Sequence, residues 1–543
     1  MDQDILHLLQ KYNMDSEQKP LTERLVEPDR FKNFSKCSGD LLLDFSRTRV
    51  DQAALNQLVK LAAHSGVEES IERLFQGDAV NFTEQRPALH MAMRSDEVLR
   101  RLDTEIAARV SGNRDRMLGF ATAFAAGHLP AAAEQPVRHI IHIGIGGSVL
   151  GPRLLIEALG RLSSPQVHFL SSVDAHYRDG LLADLDPAET VVIVATKSFT
   201  TGETLLHARR VMQWMQLELG RDAALQRLFA VSGNMAAVED FGVPQANTLF
   251  LPDWVGGRYS IWSAVSLSAA AVMGEGAFSE FLQGAADMDR HFQTAALADN
   301  LPVLMALIGI WHRNICGYPA QAVIPYDHRL RSVPAYLQQL VMESGGKSVD
   351  REGQPVNCDT SPVLFGEPGT DAQHSLFQMF HQGTDIVPLD FIGVIKPGWC
   401  RISMHYVMDD LEVDFLLDSI DFVARYGGLF LRLYDFDLYD GSWSKKNDPT
   451  SLQRFSLEAA LEAGMGEQEP MPPEERFERY TSYLDQALEL ARNMQKQHPS
   501  VEHTLGGKLG ELQFFALPEG SLNAGKNKSG KGLFGKLKSI FKK

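Results

Sequence analysis

Five short apolar, β-branched runs recur between residues 137 and 254, and this rhythm constrains the fold more than any other feature of the chain. VRHIIHIGIGGS (137–148), VHFLSS (167–172), TVVIVATKS (190–198), RLFAVSGN (227–234) and NTLFLPDW (247–254) are separated by stretches of helical periodicity. Apolar runs of this length without polar alternation suit strands buried on both faces, and alternation with helices implies parallel strands joined by crossovers. The class predicted is α/β, with a doubly wound parallel sheet.

A second series, QAVIPYD, PVLFGEP and TDIVPLDFIGV, comes after the apolar helix LPVLMALIGIWHRNI, so a second α/β domain is expected. Residues 50–125 carry apolar positions at helical spacing and should form helices that wrap the α/β body. The organisation predicted is a helical N-terminal segment over 1–110, α/β domains over 111–285 and 286–395, an α+β segment over 396–500 and a Gly/Lys-rich tail over 501–543. YVMDDLEVDFLLDSIDFVARYGG reads as an amphipathic helix stopped at Gly-Gly, LFLRLYDFDLYDG as a strand and turn, and residues 464–474 as a linker.

The net charge of −17 argues against a nucleic-acid-binding body, and an anionic small substrate would need a local positive site. The last 23 residues are a separate electrostatic object: they carry seven lysines and no acid, leaving −24 on the rest. Leu533, Leu537, Ile540 and Phe541 share one helical face there, which suits either a solubilising tail or contact with an anionic membrane surface. No stretch is long and apolar enough to span a bilayer, and the acidic N-terminus lacks the pattern of a secretion signal. Cys37, Cys316, Cys358 and Cys400 are widely spaced and form no metal or disulfide motif, so reduced thiols and a cytoplasmic location are expected.

Two loops at strand ends could hold a phosphate. Gly144-Ile145-Gly146-Gly147-Ser148 lets backbone N–H groups approach an anion at a helix start, although a tight turn with close packing would read the same. Thr196-Lys197-Ser198-Phe199-Thr200-Thr201 offers hydroxyls and a lysine at another helix start, with a capping loop as the bland alternative. Two such loops in one sheet favour a shared phosphate site. Later in the chain Ser332 and Pro334 mark a helix start, and Gln339 and Glu343, four apart, share a helix face.

These two loops, together with DWVGGRYS (253–260), GDAVNFTEQRPALHMAMR (77–94), YLQQLVMESGGK (336–347) and GEPGTDAQHSLFQMFHQGT (366–384), resemble blocks of the glucose-6-phosphate isomerase family, in the family's order and across roughly residues 20–395. The resemblance implies two sugar-isomerase (SIS-type) domains and an aldose–ketose isomerisation through a cis-enediol without metal or cofactor. It implies Glu343 as the base, expected to be shielded from water, Arg258 as the electrostatic partner of the enediolate, and His374 as an acid–base group in ring opening; His381, seven residues on and on the same helical face, reads as structural support. Gly147, Ser148, Thr196, Lys197, Ser198, Thr201 and Gln339 are the implied substrate-binding residues, and a homodimer is the implied assembly.

The sequence departs from the family in places. Val149 stands where an acid is usual, Thr196 where serine is, and Gly202 where glutamine is. The family's later segment, whose lysine assists ring opening, has no counterpart. Thr504–Gly510 is superficially similar, but its surroundings differ, and Lys508 inherits no role. Residues 393–450 instead look similar to the small domain of class V aminotransferase-type pyridoxal-phosphate enzymes, without the cofactor domain, so that the second isomerase domain is truncated or replaced at its end. The alternatives to an active isomerase are a sugar-phosphate-binding protein without turnover, produced by such a fusion, and a membrane-associated interaction protein led by the basic tail.

Overall fold

The computed structural model describes residues 3–17, 21–25, 27–130, 132–160, 165–394, 410–436, 443–445 and 472–497. They fall into two compact units, divided between Val394 and Ile395.

The first unit is built on a five-stranded parallel sheet made of β1 (His139–Ile143), β2 (Gln166–Leu170), β3 (Thr190–Ala195), β4 (Leu228–Ser232) and β5 (Thr248–Phe250), in the order β2-β1-β3-β4-β5. Register fixes Ile143 opposite Leu170 on one side and Val194 on the other. The five strands are the five apolar runs of the sequence. Their lack of alternation has a direct cause, because both faces are covered. Ile140, Val191 and Ile193 pack with Met117, Ala121 and Phe124 of α1 (Thr104–Ala125), whereas Ile141, Val192 and Val194 pack with Ala208, Val211 and Met215 of a helix on the other face.

This strand order reverses direction between β1 and β3. In an open doubly wound sheet a ligand binds in the crevice outside the carboxyl ends of the strands at such a point. There α2 (Gly147–Leu159) begins after β1, and α3 (Gly202–Leu219) begins after β3.

A second parallel sheet has three strands, β6 (Ala320–Pro325), β7 (Val363–Phe365) and β8 (Leu389–Ile392), in the order β7-β6-β8. It is small: its buried cluster rests on Ala322, Ile324 and Ala372, and Phe391 on its edge strand is exposed. The N-terminal part has the expected helices, among them Gln52–His64, begun by the Asp51 side chain accepting from Ala54 N at 2.8 Å. It also holds an antiparallel hairpin, Ser35–Ser38 with Leu41–Asp44, that helical periodicity did not predict.

In the second unit a helix spans Asp410–Phe430, a short antiparallel pair joins Tyr434–Phe436 to Trp443–Lys445, and a helix spans Pro473–Gln497. The first helix runs through Gly427 and Gly428 instead of stopping there. Phe415 stacks on Tyr480, with ring centroids 4.2 Å apart, and Arg476 pairs with Glu412 at 3.4 Å. The basic tail, Lys508 and Cys400 lie outside the described residues.

Candidate active site

The two loops expected to hold a phosphate meet where the fold reverses. Gly146 precedes α2 with φ 56° and ψ −122°, a conformation costly for any residue with a Cβ, and a Cβ there would stand 2.9 Å from the Gln339 amide nitrogen. Gly147 is held more tightly still, since a Cβ would lie 2.3 Å from the Gly257 carbonyl. The start of α2 therefore rests directly on the Gly256-Gly257-Arg258 turn and beside Gln339, which ties three sequence blocks into one site.

The loop after β3 is shaped by Phe199. Its side chain is buried against Phe241, and its backbone takes φ 53°, the left-handed region that a bulky residue avoids. Burying that ring turns the flanking hydroxyls outward. Thr196 Oγ1 meets Thr201 Oγ1 at 3.2 Å and Thr200 Oγ1 donates to Ser198 Oγ at 2.7 Å. Thr201 opens α3 without capping it through its side chain, so the first N–H groups of the helix stay available. Lys197 Nζ donates to the Asp253 carbonyl at 2.7 Å, and partial burial lowers the ammonium's pKa.

Ser148, Thr196, Lys197, Ser198 and Thr201 line one cavity of about 440 Å³. Sequence reasoning missed Glu84, Arg86, Thr204 and Asp253, which also line it. Arg86 pairs with Asp253 at 3.4 Å on the wall, and the buried Thr204 hydroxyl has no hydrogen-bond partner among the described residues. Glu84 also lines the cavity, so its four charged side chains balance. Arg86 and Asp253 do lie within the family-like sequence blocks, but nothing in their spacing marks them as neighbours.

Beside this cavity the chemistry-bearing residues converge. Helix α4 (Val333–Gln338) passes into a π-helical turn, Gln339–Glu343, a distortion that often accompanies functional sites. Gln339 Nε2 donates to Glu343 Oε2 at 2.9 Å, as their four-residue spacing predicts. Arg258 Nη1 donates to Glu343 Oε1 at 2.8 Å and its Nε donates to Ser344 Oγ at 2.8 Å. Tyr259 OH reaches the same Ser344 hydroxyl at 2.9 Å, and Tyr336 OH donates to the Arg258 carbonyl at 3.3 Å. Burial pushes the Tyr336 phenol up to about 12, so it stays a donor. His90 stacks on Tyr259 at 4.8 Å, and burial, aided by the Arg94 charge, pushes its imidazole down to about 3.

One expectation differs from the structure. The Glu343 side chain is 52% exposed rather than shielded, because it ends the π-helical turn on its open side, just before Gly345-Gly346. His374 stands exposed near the end of α5 (Gly369–Ser375), and no hydrogen bond among the described residues joins it to Arg258, Gln339 or Glu343. His381 is exposed, with its ring 5.9 Å from that of Phe377. Among the described residues no cluster of three or more His, Cys, Asp or Glu could hold a metal ion, and no helix is long and apolar enough to cross a membrane.

Known proteins resemble this chain over most of its length. A family described as phosphoglucose isomerase matches residues 44–416, a span that runs past residue 395. The glucose-6-phosphate isomerase of Xanthobacter autotrophicus is 45% identical over 375 residues, covering 68% of this chain and 69% of that protein. The glucose-6-phosphate isomerase of Brucella ovis is 45% identical over 376 residues, covering 68% of each. The crystal structure of a glucose-6-phosphate isomerase from Chlamydia trachomatis superposes with a TM-score of 0.64 at 30% identity, over 81% of this chain and 84% of that one.

Proposed function

The chain belongs to the phosphoglucose isomerase family, and from that premise we infer that it interconverts D-glucose 6-phosphate and D-fructose 6-phosphate by general acid–base catalysis. The observation that carries this reading is the Arg258–Glu343 pair at 2.8 Å, set beside a hydroxyl-lined cavity at the helix starts.

The phosphate binds in that cavity, taking N–H groups at Gly147 and the start of α3, hydroxyls of Ser148, Thr196, Ser198 and Thr201, and the Lys197 ammonium. Gln339 contacts the sugar oxygens. The Glu343 carboxylate removes the C2 proton of the open-chain aldose. The electron pair of that C–H bond forms the C1–C2 double bond of a cis-enediol, and Arg258 meets the negative charge that develops on the carbonyl oxygen. The O2 proton then passes to O1, the electron pair it leaves on O2 forms the C2 carbonyl, and the C1–C2 double-bond pair takes the proton back from Glu343 at C1 to give the ketose. The accessible side of Glu343 suits this task, because the base must reach carbon while Gln339 and Arg258 hold its two oxygens. His374 serves ring opening through acid–base transfer at the ring oxygen.

The assembly we propose is a homodimer in the cytoplasm, and the free thiols of Cys37 and Cys358 are consistent with a reducing compartment. The domain division proposed is 111–285 and 286–395, supported by the two separate parallel sheets and the unit boundary after Val394. The resemblance of residues 393–450 to a pyridoxal-phosphate enzyme's small domain stays a proposal resting on sequence alone. A coupled assay of fructose 6-phosphate conversion by the purified full chain tests the function. Turnover that is lost in Arg258→Ala supports it, and a folded, inactive wild type refutes it.

A further inference from the structure

Ser148 is the second residue of α2, so its carbonyl should accept the N–H of residue 152. Residue 152 is proline, which has no N–H and whose ring crowds the carbonyl four residues before it. The helix at the proposed phosphate site thus begins with a partly buried acceptor that lacks its regular backbone donor, and leaving one unmade is costly.

The structure supplies another donor. His142, fully buried on β1, places Nε2 2.8 Å from the Ser148 carbonyl oxygen and Nδ1 2.8 Å from the hydroxyl of Ser268, which is itself fully buried. A carbonyl only accepts, so Nε2 carries the proton. Nδ1 is then bare, and the Ser268 hydroxyl donates to it. Every hydrogen-bonding position of the ring is used, and the tautomer is fixed by its two partners.

We propose that His142 is a positioning residue for phosphate binding: its Nε2–H replaces the hydrogen bond that Pro152 withholds from Ser148, and so holds the Ser148 hydroxyl and the first N–H groups of α2 on the phosphate. The ring touches no substrate and acts through Ser148. Burial keeps the imidazole neutral, pushing it down to about 4, so the donor tautomer persists across the physiological range. No feature of the sequence blocks marks this role, since His142 reads as one more residue of a buried strand.

The inference rests on the proposed phosphate site, and the test separates the two. Inorganic phosphate serves as the probe, as a competitive inhibitor of fructose 6-phosphate turnover by the full chain. His142→Leu should raise both the phosphate inhibition constant and the KM about 10-fold, the loss expected for one unmade buried hydrogen bond, with kcat changed far less. His142→Gln keeps an amide N–H near the Nε2 position and should stay close to wild type. The decisive variant is His142→Leu with Pro152→Ala, which gives Ser148 back a backbone donor and should recover phosphate affinity. Recovery has no explanation in packing alone. An unchanged inhibition constant in folded His142→Leu, or a folded double variant as weak as the single one, overturns the proposal. Should His142→Leu not fold, nitrogen-15 NMR of histidine-labelled wild type decides, with the His142 signal assigned by its loss in His142→Gln: protonation at Nε2 supports the proposal and protonation at Nδ1 overturns it. A wild type that neither turns over fructose 6-phosphate nor is inhibited by phosphate defeats the functional reading instead, and the tautomer measurement still answers for His142.

Discussion

Arg258 donates through Nη1 to Glu343 Oε1 at 2.8 Å while Gln339 donates to the other carboxylate oxygen at 2.9 Å, so the proposed base is held from both sides with its carboxylate open to solvent. The Arg258 guanidinium is itself fixed through Nε by Ser344, which also meets Tyr259. Rotation of either side chain would break two hydrogen bonds, so base and electrostatic partner keep one geometry.

Replacing the base while keeping its shape isolates its chemistry. Glu343→Gln should lower kcat by about 10²–10⁴-fold, the usual worth of a general acid–base group, with sugar-phosphate affinity nearly intact. Solvent-tritium exchange into substrate is the readout, and exchange at the wild-type rate in the variant removes Glu343 from the role.

Much of this was legible in the sequence, and the reasons are physical. Strands buried on both faces must be apolar throughout, so TVVIVA announced β3, every residue of which is buried. Helix starts need hydroxyls or glycines, so both phosphate loops stood out. What could not be read depends on side-chain placement in three dimensions. The left-handed Phe199 results from a ring that has to pack on Phe241, and the Arg86–Asp253 pair joins residues far apart in the chain. The exposure of Glu343 comes from the π-helical turn, whose extra residue no apolar periodicity encodes.

Hydroxyls at the proposed phosphate cavity should each matter for affinity. Hydrogen bonds to a charged group are worth about 1.5–3 kcal/mol, so Ser148→Ala or Thr201→Ala should weaken fructose 6-phosphate binding by roughly 10–100-fold in calorimetry. Unchanged affinity in both variants would mean the phosphate sits elsewhere.

Stability should fall as the solution is acidified through the histidine range. His142 is pushed from 6.5 down to about 4 by burial, so between those values the unfolded chain binds a proton that the folded chain refuses. Its contribution is fully present above about pH 6.5 and is lost as pH falls toward 4, and His90, pushed down to about 3, acts in the same direction. For His142 the loss is on the order of 3 kcal/mol. Urea unfolding at a series of pH values should show this slope in wild type and a shallower one in His142→Gln; identical slopes contradict the assignment.

A buried ion pair braces the site from behind. Arg94 donates to Asp289 at 2.7 and 2.6 Å with both side chains almost fully buried, and its guanidinium lies 3.9 Å over the Trp262 ring. Asp289→Ala leaves that charge uncompensated and should cost about 3–5 kcal/mol. Replacing both partners with leucine should cost less than Asp289→Ala alone. Thermal unfolding of the three chains checks this order, and a single variant as stable as wild type would show the pair to be dispensable.

Movement of a proton between C2 and C1 by this chain is read without intermediaries by incubating fructose 6-phosphate with the full-length protein in D₂O and following the sugar by proton NMR. Glucose 6-phosphate should accumulate with deuterium at C2, and Glu343→Gln should slow both product and label by the same factor of about 10²–10⁴. A folded wild type that leaves fructose 6-phosphate unconverted and unlabelled would refute isomerisation by this site.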